Sequence, residues 1–462
     1  MRFYGREQEI SILKENESQS RQGAVFTVLM GRIRVGKTTL LKTALKGCEY
    51  AYLPISNDSE EMLCQKFQQS LEERLDIHID GTVNHFCDLF EVIMKESVNR
   101  HFTVILDGFE MLQKVNPTIF KKTKMLWDKY HRHSCLHLIT SCSIQPPTRH
   151  IFEDKNGPMH DCPSAILTLK PFTIKVLKQI FHDYCPDYQN EDLLCLFMIT
   201  GGVPKYVELL MDAGCYTKEK MLDFVCCQDS YFLTEGNDIV NQLFGDKSVT
   251  YFSVLHLIVS SLDSFHNNGT VMQVKLSSYL ENLEKDYQLV NCLRPLLSMS
   301  DNTVKAYEIS DQFLRFWFRF IGPYRSYIEQ GQLSLVREKI EEDYDSFTGR
   351  TLEQYFRVMA KETGRYTQVG CWWSNKGRHE IDLIALNEKD HTGLVAEIKR
   401  NRQRIRLAKL RAKVKVLPRE RFGEYTFTLR ALSIDDMKGL RIGIWNRWLN
   451  TVARFLHRLF GC

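Results

Sequence analysis

The apolar positions of this chain change period along its length. Through the first 170 residues they come in short unbroken runs: Ala24-Val25-Phe26-Thr27-Val28-Leu29-Met30, Tyr50-Ala51-Tyr52-Leu53-Pro54-Ile55, Phe102-Thr103-Val104-Ile105-Leu106-Asp107, Leu136-His137-Leu138-Ile139-Thr140-Ser141-Cys142-Ser143, and Ala165 to Leu169. Runs of this length predict strands buried on both faces, the pattern of a parallel sheet. Between them the apolar residues recur at helical spacing. One predicted helix carries Ile10, Ile12 and Leu13, and a long helical stretch over 59–99 carries Leu63, Phe67, Leu71, Phe86, Leu89 and Ile93.

From Phe172 to about Phe244 the pattern is helical, interrupted at Thr200-Gly201-Gly202-Val203-Pro204-Lys205-Tyr206. Glycine after a helix and proline in the first turn of the next predict a stop and a restart. Three short helical patterns follow, near 252–262, 273–280 and 283–297. A polar tip, Met299-Ser300-Asp301-Asn302-Thr303, then precedes Val304-Lys305-Ala306-Tyr307-Glu308-Ile309. Three helices and a β-wing form a helix-turn-helix variant. Near the end, a helix starting at Phe347 is predicted ahead of strands over 366–373, 380–386 and 394–399. The turn-like 387–393 joins the last two as a hairpin. In the tail, Trp445, Trp448, Leu449, Val452, Phe455, Leu456 and Leu459 share one helical face, which either docks on its own domain or lies on a membrane surface.

Length turns this pattern into domains, because 462 residues exceed one ordinary core. The expected division is 1–170, 171–247, 248–335, 336–440 and a C-terminal helix over 441–462. A composition of 44% hydrophobic and 26% charged residues is that of a soluble globular protein. The N-terminus has no apolar signal core, and no apolar run is long enough to span a bilayer. Phe313 to Tyr324 is broken by Arg315 and Arg319. The 14 cysteines lack C-x-x-C spacing, which predicts reduced thiols in a cytoplasmic protein. A net charge of +4 means that nucleic-acid binding must rest on local patches.

Gly31-Arg32-Ile33-Arg34-Val35-Gly36-Lys37-Thr38-Thr39 follows the first strand and opens a helix. Strand, G-x-x-x-x-G-K-T and helix make a phosphate-binding loop. The glycines let the backbone close on a phosphate, and the amides of the loop and helix start point at the anion. Lys37 supplies charge to the β- and γ-phosphates, and Thr38 supplies a hydroxyl to Mg²⁺. The third apolar run delivers Asp107 to the C-terminal edge of the sheet, where it holds the same Mg²⁺ directly or through water. Ser143 ends the fourth run in reach of the γ-phosphate or the attacking water; the plainer reading is a strand-end turn serine.

Those stretches, with Phe3-Tyr4-Gly5-Arg6-Glu7 and Gly201-Gly202-Val203-Pro204-Lys205-Tyr206, resemble the archaeal-type ATPases, a branch of the P-loop NTPases with AAA+ and STAND affinities. The resemblance implies ATP and Mg²⁺ as cofactors, a sheet of order 5-1-4-3-2 and a helical lid. It also implies a winged helix ending in the run Tyr307-Glu308-Ile309-Ser310-Asp311-Gln312-Phe313-Leu314-Arg315-Phe316-Trp317-Phe318. Position 108, where that family has a glutamate to orient water, is glycine; position 142, where it has glycine, is cysteine. Both departures predict slow hydrolysis, and the nearest glutamate is Glu110. A winged helix either reads DNA or packs on the ATPase. The stretch Asn282 to Val290 has no basic excess, which favours packing.

A second constellation lies further on. Glu397 and Lys399 are two apart and share a strand face, and Asp382 on the neighbouring strand can share it. Carboxylates beside a lysine offer oxygen ligands to Mg²⁺ and a cation to orient water. With Glu353 on the preceding helix the set resembles the PD-(D/E)XK nucleases, and by that resemblance Glu353, Asp382, Glu397 and Lys399 are the metal and catalytic positions. The stretch from Trp372-Trp373 to Glu380-Ile381-Asp382 resembles the domain commonly appended to archaeal-type ATPases. The basic run Lys399, Arg400, Arg402, Arg404, Arg406, Lys409, Arg411, Lys413 and Lys415 reads either as a nucleic-acid surface or as a solvated helix face.

The fold class expected is α/β: a P-loop parallel sheet with a helical lid, a winged-helix domain, and a restriction-endonuclease-like domain. Three functions fit: an ATP-driven switch or motor fused to a Mg²⁺ nuclease, an ATP-binding regulatory module whose last domain only binds nucleic acid, and a protein-interaction switch. ATP, DNA, a protein partner and a second copy of the chain are the partners these admit.

Overall fold

The computed structural model describes residues 1–261, 269–298, 306–374 and 379–439. The wing tip 299–305 and the tail 440–462 lie outside them. The five apolar runs form strands β1 (Val25–Gly31), β2 (Tyr50–Pro54), β3 (Phe102–Asp107), β4 (Leu136–Ser143) and β5 (Ala165–Leu169). They make one parallel sheet of order β2-β3-β4-β1-β5, the order the resemblance implied. Alternate residues serve opposite faces. Phe26, Val28 and Met30 of β1 enter one apolar cluster with Val104, Leu106 and Leu138, while Leu29 enters another with Ile105, Ile139, Leu40 and Leu41. Burial on both faces is why these strands read as unbroken apolar runs.

The stretch expected as one long helix over 59–99 is two helices, Glu60–Leu75 and Phe86–Asn99. The first ends at Asp76 in a left-handed conformation (φ 52°), and the connection holds Gly81 at φ +79°. Helical spacing on either side concealed a break made by backbone that no helix adopts.

The helical region runs Ile174–Tyr184, Asn190–Thr200, Pro204–Asp212, Lys218–Val225 and Tyr231–Phe244. Gly201 ends the second of these at φ +55°, and Pro204 opens the third. Beyond it the structure corrects the expected third helix over 283–297. Leu283 belongs to the helix Gly269–Lys285, and Val290–Leu293 is strand β6, antiparallel to β7 (Ala306–Ile309). Gln288 sits at φ +54° and turns the chain. Over so few residues, Leu283, Leu289, Val290 and Leu293 fit both periods.

After the helix Gln312–Phe320 comes a helix of 30 residues, Leu333–Glu362, which starts well ahead of the expected Phe347. The second sheet is β8 (Gln368–Trp373), β9 (Glu380–Asn387), β10 (Thr392–Ile398) and β11 (Thr426–Leu432), in the order β11-β10-β9-β8. Strands β9 and β10 form the predicted hairpin, and β11 pairs parallel to β10. One apolar core runs from Ile174 and Leu177 through Tyr206, Phe232, Phe313 and Phe316 to Tyr355, Leu383, Ala396 and Met437. The expected boundaries near 247 and 335 therefore do not divide the core. Among the described residues no helix is long and apolar enough to cross a membrane.

Two glycines let these parts close. A Cβ on Gly236 would stand 2.2 Å from the Trp317 ring, and one on Gly201 would stand 2.8 Å from Cβ of Gln312. Gly236→Ala should destabilise the protein by about 1–3 kcal/mol through overpacking, read as a lower denaturant midpoint. A midpoint equal to that of the unmodified chain would show that the Trp317 contact is not formed.

Candidate functional sites

The first site is built at the C-terminal ends of β1, β3 and β4, where Gly31 lies opposite Ser143 and Asp107 opposite Ser141. Gly31 is required by close approach, since a Cβ there would meet Leu169 O at 2.9 Å. Gly36, at φ +89°, precedes the helix Lys37–Ala44. Lys37 Nζ donates to the carbonyls of Gly31 (3.0 Å) and Arg32 (3.3 Å). Burial lowers its pKa, against the charges of Glu110 and Asp107. The Thr38 hydroxyl lies 3.5 Å from Asp107 Oδ2, which also accepts a short hydrogen bond from the Tyr52 hydroxyl. Burial and that bond push the Tyr52 phenol up to about 12.

These groups open on a cavity of about 930 Å³ that Ile33, Arg34, Val35, Gly36, Lys37, Thr38, Thr39, Asp107 and Ser143 all line. Phe3 and Arg6 from the N-terminus reach it, as do Phe172 and Lys205 from the helical region. Two of the loop positions singled out do not line it: Gly31, the last residue of β1, and Arg32. The Arg32 side chain pairs with Asp311 at 2.5 Å and lies over the Tyr206 ring. Arg34 donates to Glu235 at 3.2 Å, and Tyr206 donates to the same carboxylate at 2.9 Å. The sequence reading missed Tyr52, Tyr206 and Glu235. Tyr52 lies in the middle of β2, and its position carried no signal of this role.

Gly108 sits at φ +80° and donates its N–H to Ser141 O at 2.7 Å. A non-glycine residue there is strained. Glu110 follows on a single 3₁₀ turn, Phe109–Met111; it is 6% exposed and accepts from the Ser143 N–H at 2.9 Å. Burial raises its pKa, against that bond and the Lys37 charge.

The second site lies where β9 and β10 meet the long helix. Lys399 Nζ stands 3.2 Å from Asp382 and 4.0 Å from Glu397. Glu397 is also held by Lys413 at 2.6 Å, and Asp382 accepts the Ile398 N–H at 2.7 Å. Simple alternation does not account for this. Gly370 pairs with Ile384 but Trp372 pairs with Ile381, so β9 carries one extra residue. Leu383 and Ala385 face the shared core, Ile384 and Leu386 face the outer cluster, and Ile381 lies with the outer cluster too. Asp382 occupies the bulge, a device that re-aims a side chain. It meets the field of Glu353, whose carboxyl is pushed up to about 8 by burial and by the Asp382 charge. Burial also raises Asp382 itself, against Lys399.

Among the described residues, no three His, Cys, Asp or Glu side chains are grouped to hold a metal ion. Oxygen donors come in pairs instead, Thr38 with Asp107 and Asp382 with Glu397. Such pairs suit Mg²⁺, which keeps several waters and takes one or two carboxylates plus phosphate oxygens.

The basic run divides. Arg400 bonds Thr348 and Glu191 and pairs with Asp345; Arg402 is held by Asp436, and Lys413 by Glu397. Arg404, Arg406, Lys409, Arg411 and Lys415 are exposed.

Residues 317–410 match the family DUF234, described as "Archaea bacterial proteins of unknown function". An uncharacterized protein of Methanocaldococcus jannaschii is 26% identical over 409 residues, covering 86% of this chain and 87% of that one. A Walker-type ATPase of Pyrococcus abyssi superposes on 69% of this chain and 96% of its own, at 16% identity and a TM-score of 0.48. The ORC2 protein of Aeropyrum pernix superposes on 72% and 94%, at 12% identity and a TM-score of 0.47.

The Glu353 environment sets a pH dependence. Its folded pKa of about 8 lies above an ordinary glutamate value of about 4.3. The folded state thus holds this proton to higher pH than the unfolded chain does. Its contribution is complete below about pH 4 and is lost as pH rises through about 8. Glu353→Gln removes the titration. The melting temperature of the unmodified protein should fall relative to that of the variant between about pH 5 and 8.5; parallel curves would show that Glu353 is not buried beside Asp382.

Proposed function

We propose that the chain is an ATP-binding switch or motor coupled to a Mg²⁺-dependent, nuclease-like site that acts on nucleic acid. The observation that carries the first half is one cavity at the C-terminal edge of a parallel sheet, lined by the loop residues 33–39, Asp107 and Ser143. Backbone amides of the loop and helix start bind the phosphates. Lys37 neutralises their charge, and Thr38 with Asp107 presents oxygens to Mg²⁺, which supplies charge neutralisation at the β- and γ-phosphates. Phe3 and Phe172 offer apolar surface at the same cavity.

At the second site, Asp382 and Glu397 are the Mg²⁺ ligands in this reading, with Glu353 approaching from the helix. Mg²⁺ there supplies Lewis acidity at a phosphodiester. Lys399, 3.2 Å from Asp382, steadies the charge that develops on the phosphate or orients water. Arg404, Arg406, Lys409, Arg411 and Lys415 form a nearby exposed basic strip that suits a phosphate backbone. The winged-helix reading is retained for the hairpin β6–β7 and the helices before it, as a packing or partner surface.

One observation favours a second reading, a regulatory ATP-binding module that binds nucleic acid or a protein without cleaving it. Both carboxylates of the second site are already paired with lysines, Asp382 with Lys399 and Glu397 with Lys413.

Lys37→Ala should abolish the rise in melting temperature that ATP and Mg²⁺ give, because only a ligand bound to the folded state stabilises it. Equal shifts in both proteins would refute nucleotide binding at this loop. Asp382→Ala should reduce Mg²⁺- or Mn²⁺-dependent cleavage of single- or double-stranded DNA to background and leave the ATP shift intact. A metal-binding site without cleavage in the unmodified protein would select the second reading.

A further inference from the structure

The edge strand β11 borders a cleft that neither site uses. Its volume is about 230 Å³, and it is lined by Thr428 and Arg430 of β11, by Arg365 and Tyr366 from the connection after the long helix, and by Arg402 and Asp436. Arg402 and Asp436 neutralise each other in an ion pair. Among the described residues no carboxylate pairs with Arg365 or Arg430. Tyr366 is half-buried between them. Burial raises the pKa of its phenol, against the charges of Arg365 and Arg430. Arg365 also lies over the Tyr366 ring, 6.0 Å from its centroid.

We propose that this cleft binds a single-stranded segment of nucleic acid beside the second site. This rests on the nucleic-acid reading of that site above. Charge selects the class of occupant. Two guanidinium groups without a carboxylate partner call for anions spaced along a chain, and arginine suits phosphate through its planar fork of donors. The residues 440–462 of this chain contain no Asp or Glu, so they are not the complement of the cleft. The ring selects the strand state. Tyr366 and the guanidinium over it offer a flat surface on which a base can stack. A duplex keeps its base faces inside, so only an unpaired base reaches such a surface.

Size and position agree with this. A pocket that encloses a whole small-molecule ligand usually measures about 300–1,000 Å³; this cleft is smaller and suits one unit of a chain that runs on beyond it. Leu432, the last residue of β11, lines the cleft, and its carbonyl accepts the Lys399 N–H at 3.1 Å. The cleft therefore ends at the backbone of the second site. Arg404 and Arg406 of the exposed basic strip follow Arg402 closely along the chain. Charge on an edge strand also discourages pairing with another chain. That role does not account for Arg365 and Tyr366, which lie outside β11 and still join the same cleft.

The test uses the full chain with EDTA present, so that nothing is cut, and follows the fluorescence anisotropy of a labelled oligothymidylate and of a duplex of the same length. Tyr366→Leu should weaken binding of the single strand by about 5–150-fold, the worth of one stacked base. Tyr366→Phe keeps the ring and should keep the affinity. Arg365→Gln and Arg430→Gln should each weaken the single strand and flatten the slope of log K against log salt by about 0.7. Duplex binding should stay as it is in all four variants. If Tyr366→Leu does not fold, Arg365→Gln decides, since Arg365 is exposed. Unchanged affinity for the single strand in the variant that decides overturns the proposal. So does an equal loss of strand and duplex, or an unmodified protein that binds the duplex alone; both leave the nucleic-acid reading standing. A poly-glutamate peptide that binds more tightly than the strand, and is lost in the same variants, makes the cleft a peptide site and overturns the proposal too. An unmodified protein that binds neither nucleic acid overturns the nucleic-acid reading and the proposal with it.

Discussion

The ion pair between Arg32 and Asp311 joins the first site to everything after it. Arg32 belongs to the loop built to surround a phosphate, yet its guanidinium is turned out of the cavity and buried against Asp311 and the Tyr206 ring. Burial disfavours its charge, and Asp311, Tyr206 and Glu235 together outweigh that. Removing one partner of such a pair typically costs about 3–5 kcal/mol, because the other charge stays behind without water. Asp311 also caps the helix Gln312–Phe320 by accepting the Leu314 N–H at 3.0 Å. From that helix Arg315 reaches Gln354 at 2.5 Å, and Gln354 is the neighbour of Glu353 on the long helix. Polar contacts therefore run from the loop through the helix Gln312–Phe320 to Gln354, the residue next to Glu353. The pair thus ties the loop to the helix Gln312–Phe320, outside the first cavity.

The helical region is packed on both sides. Toward the loop it offers Tyr206 and Glu235, which meet Arg32 and Arg34. Toward the second sheet it shares a core, with the Phe197 and Tyr355 rings 5.4 Å apart. The glycines at 201 and 236 let Gln312 and the Trp317 ring approach where side chains would hold these layers apart.

Legibility followed the range of the interactions. The five strands of the first sheet were readable because burial on both faces writes unbroken apolar runs, and the loop because its glycines and lysine are contiguous. The order of the strands came from resemblance, not from periodicity. What was misread lies where local signals are ambiguous: the break after Leu75 between two helical patterns, and strand β6, whose four residues fit either period. Strand β11 went unread because Thr426, Thr428 and Arg430 lie at the edge of the sheet and dilute its apolar pattern. The tyrosine on Asp107 and the partner of Arg32 were invisible, since nothing at position 32 points 279 residues ahead (311 − 32). At the second site the four residues were legible and the geometry was not. Alternation brought Asp382 to the right neighbourhood, but the bulge in β9 is what aims it.

The helix Leu333–Glu362 is a rod of about 45 Å. Its first half is fastened to the helical region by Lys218–Glu341 and Arg337–Asp223, and its second half carries the second sheet, with Tyr355 bonded to Met437 O. The seam a geneticist would cut, at Phe347 ahead of Glu353, runs through the middle of this rod. A graft that began there would keep the second half of the helix on the sheet but would expose the side of it that packs on Phe197 and the rest of the shared core. The second sheet is thus inheritable only together with the helices that precede it, however modular its sequence looks.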